Sequence, residues 1–521
     1  MTNQSSQPCF PASSADNSVT PVNTYMSSYC GASSTSSIPV ATVAPVSYLN
    51  TTTASATAER TSPAVVSVPN LYMPSIHETF PRFLKPTSPG IAWCRRSSRW
   101  RRHLQDFVEL PAGKRKRLGN FYVCDRDEKF VIKRGPLGTQ VLLGLHVDGT
   151  ELAVKKMLRA YYVRVEQTLS AFKQANTELA DKYVLSVKDT WSDMYFGYIA
   201  TELLEENLEE RVKDLEKLGL LEAETPGLIQ GLLSALQHLQ HSRLPHLCLK
   251  PSNILFDMDA RLRLSDVQIG THANSKSSYG HSKEALCWRS KEAIAEGEQD
   301  VMDKPYCPAW DSQVAGMLIH YIVTGGRHPF GTDVTQCEQY ITKDQPDISA
   351  LTDPALSSLV RRLLEPNATT RLPPSQALRH PYFWKPWETL LFLAAVGQLP
   401  VMCERGANPF CTRINLTLSG PKNRGMAPAL FAWLQKRNYR GSLWCGNTVC
   451  DLLRFLAYMA NRDHKSLLAA TPWVTENCQS LVPALFDIVR EEGYIASTEH
   501  ILAVLKKAIY HDNNEHTLAY W

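Results

Sequence analysis

The stretch LPHLCLKPSNILFD, residues 244–257, decides the fold of this chain, because it spaces several reactive side chains ahead of a short apolar strand. Those side chains belong to His246, Cys248, Lys250 and Asn253. A second stretch, RLRLSDVQIG at residues 261–270, brings Asp266 directly after another short apolar strand.

The first stretch resembles the catalytic loop of protein kinases, which has the pattern His-Arg-Asp-Leu-Lys-x-x-Asn. In that family the aspartate accepts the proton of the substrate hydroxyl, and Cys248 stands in its place here. A neutral thiol does not replace this carboxylate, and loss of a general base lowers rates by about 10²–10⁴-fold. Phosphoryl transfer depends mainly on positioning and electrostatics, so a small residual rate is compatible with the sequence. Lys250 is either a catalytic residue or a lobe contact, with equal weight.

A nucleotide cleft is predicted upstream of this loop. VIKRGPLGTQVLLG, residues 131–144, predicts a strand, a glycine turn and a strand, and ELAVKKML follows as the next strand. In kinases the glycines let the backbone approach a polyphosphate, an apolar side chain packs on the purine, and a strand lysine neutralises the phosphates. The matching residues are Gly135, Gly138, Val141 and Lys155.

The kinase resemblance also implies a partner for the lysine and a hinge for the adenine. Glu166 is the candidate partner of Lys155, although an alignment through the later strand places Ala171 or Phe172 there instead. Backbone groups around Glu202 form the predicted hinge. The resemblance further implies that Asn253 and Asp266 share one metal site, so the cleft is expected to bind ATP or ADP with Mg²⁺ without turning it over.

Further kinase features follow along the chain. Val267-Gln268 replaces the usual Phe-Gly after the metal-binding aspartate, which favours one fixed conformation of the activation segment. Ser290-Lys291-Glu292 stands for Ala-Pro-Glu, and Arg371 is placed to pair with Glu292. The segment beginning Trp310-Asp311 predicts a buried central helix, and HPYFW, residues 380–384, closes the lobe.

The residues after Trp384 predict a separate helical domain. WETLLFLAAVGQL begins a helix directly after the kinase lobe, and NTVCDLLRFLAYM carries an apolar stripe at i, i+3, i+4 and i+7. LVPALFDIVREEG predicts a third helix ending at Gly493. A fourth is predicted over 501–510, with Thr498 as its N-cap.

This combination resembles the kinase-plus-extension-nuclease (KEN) proteins, which comprise the Ire-type unfolded-protein-response sensors and ribonuclease L. The resemblance is carried by Lys-Pro-x-Asn253-Ile-Leu, by GRHPFG at 326–331, by HPYFW and by NTVCDLLRF at 447–455. It implies a back-to-back dimer, favoured by nucleotide in the kinase lobe, that aligns two extension domains into a metal-independent ribonuclease. The expected partners are a second copy or a related kinase–KEN protein, and RNA.

The family's nuclease residues match this sequence incompletely. A histidine acts there as general acid, while an arginine and an asparagine hold phosphate beside a tyrosine; Arg454 takes the arginine position and Trp444 the tyrosine position. Two alignments of the rest remain open. Without gaps, the asparagine and histidine positions hold Tyr458 and Arg462; with two inserted residues, they hold Asn461 and Lys465, with His464 adjacent. The predicted nuclease set is Arg454, Asn461 and His464, and the alternative for the last two is a helix end and a polar turn.

Bulk composition limits the class of protein. A net charge of +4 over 521 residues is too weak to indicate nucleic-acid binding by itself. The 13 cysteines show no Cys-x-x-Cys pair, which favours a reducing compartment. The N-terminus has no signal-peptide pattern, and no apolar run reaches the roughly 20 residues of a membrane span. We expect a cytoplasmic or nuclear protein without a membrane span, and the family's usual N-terminal sensor domains are not recognisable.

The first 90 residues are rich in Ser, Thr and Pro and nearly free of charge, which predicts disorder. A basic cluster follows, comprising residues 95–102 and 114–117. It is predicted to be a solvated linker or, with equal weight, a site for nuclear import, RNA or an anionic surface.

The predicted architecture is a disordered tail at 1–117, an α+β two-lobed protein-kinase-like domain at 118–384 and an all-α KEN domain at 385–521. The two kinase lobes are expected at 118–203 and 204–384. The favoured function is a nucleotide-binding pseudokinase that acts in RNA processing or regulation through dimerisation. The alternatives are an active endoribonuclease switched by nucleotide and dimerisation, and a Ser/Thr kinase with an unconventional base.

Overall fold

The structure, a computed structural model, describes residues 92–135, 138–163, 165–166, 180–267, 287–295, 309–331, 333–403, 408–441 and 446–512. The tail predicted to be disordered lies outside these residues up to position 91. The same is true of Ala171, Phe172, Gln268 and Trp444.

The small lobe is built on a seven-stranded antiparallel sheet with the order β1-β2-β4-β5-β7-β6, and β3 pairs with β4. Its strands are β1 (Lys116–Leu118), β2 (Phe121–Val123), β3 (Val131–Arg134), β4 (Gln140–His146), β5 (Glu151–Leu158), β6 (Val187–Ser192) and β7 (Phe196–Glu202). Side chains alternate between the two faces of a strand, so Leu152 and Val154 enter the core while Lys155 lies on the opposite face. Residues 161–163 and 165–166 are helical.

The predicted boundary between tail and kinase domain is wrong, because residues 92–117 are folded onto the small lobe. Residues 92–110, here called the strap, include helix α1 (Arg101–Glu109). Leu104 and Phe107 of this helix are fully buried in a cluster with Phe130. Hydrophobic contacts on one helix face therefore anchor a segment whose arginines suggested a solvated linker.

The strap is also held by hydrogen bonds to the buried carboxylate of Glu151, which is 6% exposed. One oxygen accepts from Trp93 Nε1 (2.6 Å) and from the Arg96 amide (2.9 Å), and the other accepts from the Ser97 amide (2.7 Å). Further along, Trp100 Nε1 donates to the carbonyl of Leu204 at 3.1 Å. The strap thus joins the sheet to the segment between the lobes.

The large lobe is mainly helical and carries a small sheet of β8 (Glu206–Asn207), β9 (Ile254–Phe256) and β10 (Leu262–Leu264). Its helices are α2 (Ala180–Tyr183), α3 (Leu208–Leu218), α4 (Leu221–His241), α5 (Lys291–Ala295), α6 (Ala309–Val323), α7 (Val334–Thr342), α8 (Pro354–Leu363) and α9 (Pro374–Ala377). A capping box of Asn207 and Glu210 begins α3, and Gly219 in the left-handed conformation ends it. The predicted central helix is α6, which is buried from Asp311 to Ile322.

The predicted ion pair of this lobe is confirmed. The buried guanidinium of Arg371 contacts both carboxylate oxygens of Glu292, at 2.8 and 3.1 Å, and also donates to the carbonyl of Ala309 at 2.7 Å. A buried arginine requires such compensation. This contact holds the end of the activation segment against the start of α6.

The remaining residues form an all-α domain, as predicted. Its helices are α10 (Pro386–Gly397), α11 (Pro400–Cys403), α12 (Pro409–Thr417), α13 (Met426–Gln435), α14 (Val449–Ala460), α15 (His464–Ala469), α16 (Thr471–Asn477), α17 (Leu481–Glu491) and α18 (Ile495–Asp512). Helix α18 begins six residues earlier than predicted. Thr498 is therefore not an N-cap but lies within the helix, and its hydroxyl donates to the carbonyl of Tyr494, just before the helix begins, at 2.9 Å.

Ion pairs connect this helical domain to the kinase lobe. Arg362 on α8 contacts Asp487 at 2.8 Å and Glu491 at 2.5 Å, both on α17. Arg379 contacts Glu499 on α18 at 3.3 Å. Aromatic rings add to the contact, since Trp384 and His380 both pack against Phe486. Among the described helices, none combines the length and the apolar character that crossing a bilayer requires.

Candidate functional site

The backbone of the predicted catalytic loop is held by a buried aspartate. Asp311 accepts the amides of His246 at 2.6 Å and Leu247 at 3.1 Å, and Leu247 has a positive φ of 61°. Burial raises the pKa of Asp311 to about 6. Burial also lowers the pKa of His246 to about 4, so this ring is neutral and its Nδ1 accepts the Cys248 amide at 3.3 Å. His246 thus shapes the loop.

Cys248 occupies the centre of this loop as a neutral thiol. Burial raises its pKa, and the negative charge of Asp266 raises it further. The side-chain amide of Asn253 donates to the Cys248 carbonyl at 2.8 Å and lies 3.4 Å from its sulfur. The loop therefore has the frame of a catalytic loop, but its central side chain is a protonated sulfur that does not accept a proton near neutral pH.

Lys155 and Asp266 meet across the cleft. The Lys155 amine contacts both carboxylate oxygens of Asp266 at 2.9 Å, and Asp266 has a positive φ of 57°. Burial works to raise the pKa of Asp266, but the charges of Lys155 and Lys250 outweigh it and lower the pKa. Asp266 is thus ionised and faces the lysine predicted to neutralise phosphates. The role of Lys250, as a catalytic residue or a lobe contact, stays a prediction.

The predicted partner of the lysine, Glu166, accepts a hydrogen bond from Tyr162 one helical turn earlier, at 3.1 Å. Sequence reasoning missed Tyr162, which is buried against Gly197 of β7. A Cβ at Gly197 would lie 1.9 Å from the Tyr162 ring, so only glycine fits there. A glycine within the strand FGYIATE was the available signal, because such glycines mark close approaches.

Gly135 and Gly138 lie between β3 and β4, where the sequence predicted a glycine turn, and the hinge around Glu202 stays a prediction. The Gly135 amide donates to the Thr139 carbonyl at 2.8 Å, and Gly138 has a φ of 72°, in the left-handed region. Val141 pairs directly with Lys155 in the β4–β5 register. Residues directly opposite in an antiparallel pair share a face, so both lie on the cleft side of the sheet. Glu202 ends β7 and pairs with Leu152.

The side chains of Asn253 and Asp266 fit a magnesium–nucleotide site. Because the Asn253 nitrogen donates to the Cys248 carbonyl, its oxygen is directed elsewhere and remains a ligand atom. Asp266 supplies an ionised carboxylate. Within the described ranges, no group of three or more His, Cys, Asp or Glu side chains could hold a metal alone. In nucleotide sites Mg²⁺ is usually held by one or two protein ligands together with the phosphates, and Asn253 and Asp266 are two such ligands.

In the helical domain, Arg454 is engaged with its own domain. Its Nε donates to the Met402 carbonyl at 3.0 Å, and its Nη2 lies 3.5 Å from the Cys411 sulfur. Asp451, one turn earlier on α14, lies 3.7 Å away. The predicted phosphate-holding arginine therefore braces α14 against α11 and α12.

Asn461 and His464 lie at the junction of α14 and α15. Asn461 ends α14, and its side-chain oxygen accepts from Gln398 at 3.2 Å. His464 begins α15, which Asp463 caps. Asn461 follows Arg454 by seven residues on the same helix face, roughly 10 Å along the axis. The fold thus brings Asn461 and His464 together by chain proximity and leaves Arg454 two turns away.

The ungapped alternative places Tyr458 and Arg462 at the nuclease positions. These two side chains interact with each other, with the Arg462 guanidinium 5.3 Å from the centre of the Tyr458 ring. Such a cation–π contact stabilises an exposed helix end by roughly 0.5–1 kcal/mol. It gives this pair a structural role at the end of α14.

Comparison with known proteins agrees with this geometry. A protein kinase domain model matches residues 131–383. The serine/threonine-protein kinase/endoribonuclease IRE1a of Arabidopsis thaliana is 26% identical over 320 residues, covering 53% of this chain and 36% of that protein. IRE2 of Homo sapiens, described in the same words, is 29% identical over 288 residues, covering 52% and 30%. The Caenorhabditis elegans protein ire-1 is 24% identical over 353 residues, covering 64% and 34%.

The matched region spans about a third of the length of these curated relatives. The kinase domain match, the catalytic-loop frame and the Ire-type relatives agree with one another. The chain therefore contains a protein kinase domain followed by a helical extension, and it is similar to the Ire-type kinase/endoribonucleases.

Proposed function

We propose that this protein is a nucleotide-binding pseudokinase whose kinase lobe controls the helical extension through dimerisation. One observation carries the proposal: Cys248 is a neutral thiol within a loop whose backbone, asparagine and facing lysine–aspartate pair are otherwise in place. Nucleotide binding and phosphoryl transfer require different residues. The loss of the aspartate at position 248 therefore removes the base for transfer and leaves the residues proposed for binding.

The residues that would hold a nucleotide are assembled on both sides of the cleft. Lys155 would contact phosphate, and Asn253 and Asp266 would hold Mg²⁺, which neutralises phosphate charge when bound. Lys155 and Asp266 neutralise each other in this structure. An incoming phosphate would pair with Lys155, and its Mg²⁺ would pair with Asp266. Each charge of the ion pair would thus gain a new partner of opposite sign.

The proposed partner is a second copy of the chain or a related kinase–KEN protein, and the proposed location is the cytoplasm or nucleus. The ion pairs between α8 and α17 support this coupling, because they tie the extension to the lobe that would bind nucleotide. A pseudokinase of this kind would act on RNA processing or on an active relative through mixed dimers.

ATP with Mg²⁺ is expected to raise the melting temperature of the full chain. A ligand at 100 times its Kd adds about 2.7 kcal/mol of stability. Lys155→Met should abolish the shift, because the amine faces Asp266 in the cleft. Lys156→Met is the matched control, since the next lysine pairs with Asp125 at 2.7 Å instead. Equal shifts in both variants, or none in the wild type, would contradict nucleotide binding in this cleft.

Active endoribonuclease function is the second candidate, favoured by the position of Asn461 and His464 at one helix junction. With Arg454 occupied by Met402 and Cys411, we expect no cleavage of a short RNA hairpin by the wild-type chain. Cleavage that is lost in His464→Ala, and kept in a variant of the exposed His500 on α18, would establish the nuclease and overturn this expectation.

A further inference from the structure

A buried thiol pair lies where the end of the activation segment meets α7. Cys287 is 8% exposed and Cys337 is 0% exposed, and their side chains are hydrogen-bonded to each other. The Cys337 sulfur also lies 3.4 Å from Nδ1 of His328. The nucleotide cleft uses none of these three residues.

Contacts other than the thiols fix this junction. Arg289 pairs with Glu338 of α7, and Lys291 pairs with Asp344 just beyond that helix. The Trp288 ring packs edge-on against His328 with centroids 4.6 Å apart. These contacts hold the residues directly after Cys287 against His328 and α7, on which Cys337 lies.

The polar groups around the pair distinguish the two sulfurs. His328 Nδ1 accepts the Phe330 amide at 3.1 Å, and burial lowers the pKa of His328 to about 4, so the ring is neutral and offers Nδ1 as an acceptor. The thiol proton of Cys337 therefore has two acceptors within reach, His328 Nδ1 and the Cys287 sulfur. Cys287 is 8% exposed while Cys337 is fully buried, so Cys287 is the more accessible sulfur and the one that an oxidant reaches first.

We propose that Cys287 and Cys337 form a reversible redox pair that links the activation segment to α7 by a disulfide. The oxidant would be a small disulfide such as oxidised glutathione. Cys287 thiolate attacks one of its sulfurs and releases one glutathione; Cys337 then attacks Cys287 and releases the second. The two protein thiols lose two electrons and two protons in total. These electrons and protons are taken up by the oxidised glutathione, which becomes two molecules of reduced glutathione.

The disulfide would lock the surface formed by the activation-segment end and α7. In the reduced chain this surface is held by two ion pairs that salt and local opening weaken. A covalent link removes that opening. The redox state of the pair would thereby set how firmly this face is presented to a protein partner, independently of nucleotide.

The test is peptide mapping of the full chain after treatment with oxidised glutathione. Trypsin places Cys287 in a peptide spanning 284–289 and Cys337 in one spanning 328–343. These two peptides should be recovered linked, and separate after reduction. Amides of α7 should then exchange more slowly with solvent in the oxidised chain, and faster again after reduction.

Cysteine variants distinguish a disulfide between Cys287 and Cys337 from unspecific oxidation of other thiols. Cys337→Ser should retain one glutathione on Cys287, because the resolving sulfur is gone. Cys478→Ser is the matched control, since Cys478 is buried elsewhere, and it should leave the linked peptide unchanged. The exposed Cys94 and Cys403 report that the oxidant has reacted. If both are modified while the two peptides stay unlinked in the wild type, the redox pair is refuted.

Discussion

Replacing Cys248 with aspartate is expected to raise phosphoryl transfer from ATP to a serine- or threonine-containing protein by about 10²–10⁴-fold. The backbone at this position is already fixed, because Asn253 donates to the Cys248 carbonyl at 2.8 Å and His246 receives its amide. Aspartate is close to cysteine in size, so the loop can keep its shape. The measurement is transfer of labelled phosphate to a generic protein substrate by the purified variant.

Cys248→Asn is the matched control for this gain. It has the shape of aspartate without a carboxylate, so it should transfer no faster than the wild type. Equal rates in the two variants would show that position 248 does not carry the missing base. Robust transfer by the wild type that Asp266→Ala abolishes would be a stronger contradiction, because it would require a different base and an active kinase.

Local patterns predicted the strands on which the cleft residues lie, because kinase residues recur at fixed distances within short stretches. Lys155 lies on a strand whose alternation sets its face, and Asp266 follows a strand of the neighbouring lobe. Arg371 and Glu292 are 79 positions apart, yet their pairing was predicted, because the family frame fixes both ends. The roles of these residues in binding stay predictions that the proposed experiments address.

The strap shows where sequence patterns fail. Its basic residues dominate the composition, whereas only Leu104 and Phe107 are fully buried, too few for a clear helical stripe. Its main anchor, Glu151, lies more than 50 residues away in a strand, where a carboxylate looks like a solvated residue. A partner at that separation becomes visible only once the fold places β5 beside the strap.

The extension domain shows a similar limit. Helix α14 was predicted from its apolar periodicity, which depends on nearby residues. The environment of Arg454 was not predicted, because Met402 lies 52 positions upstream and the Cys411 sulfur 43. An arginine that matches the family motif can therefore keep its position on a helix while its guanidinium contacts neighbouring helices of its own domain.

Glu151→Ala is expected to release the strap from the small lobe. The variant leaves three donors, on Trp93, Arg96 and Ser97, without their carboxylate in a buried site. An unsatisfied buried donor costs about 1–3 kcal/mol, and partial access of water reduces the sum, so we expect a loss of about 3 kcal/mol. That loss corresponds to an increase of roughly 10²-fold in the fraction of open strap.

Limited trypsin digestion measures this opening, because the strap contains five arginines between positions 95 and 102. When opening is fast relative to cleavage, the rate of cutting follows the open fraction. Glu205→Ala is the matched control: it also removes a carboxylate that accepts a strap amide, from Arg99 at 2.8 Å, but at an exposed position. Water can replace that acceptor, so cutting should rise only a few-fold. Similar rates for the two variants would show that burial of Glu151 does not hold the strap in place.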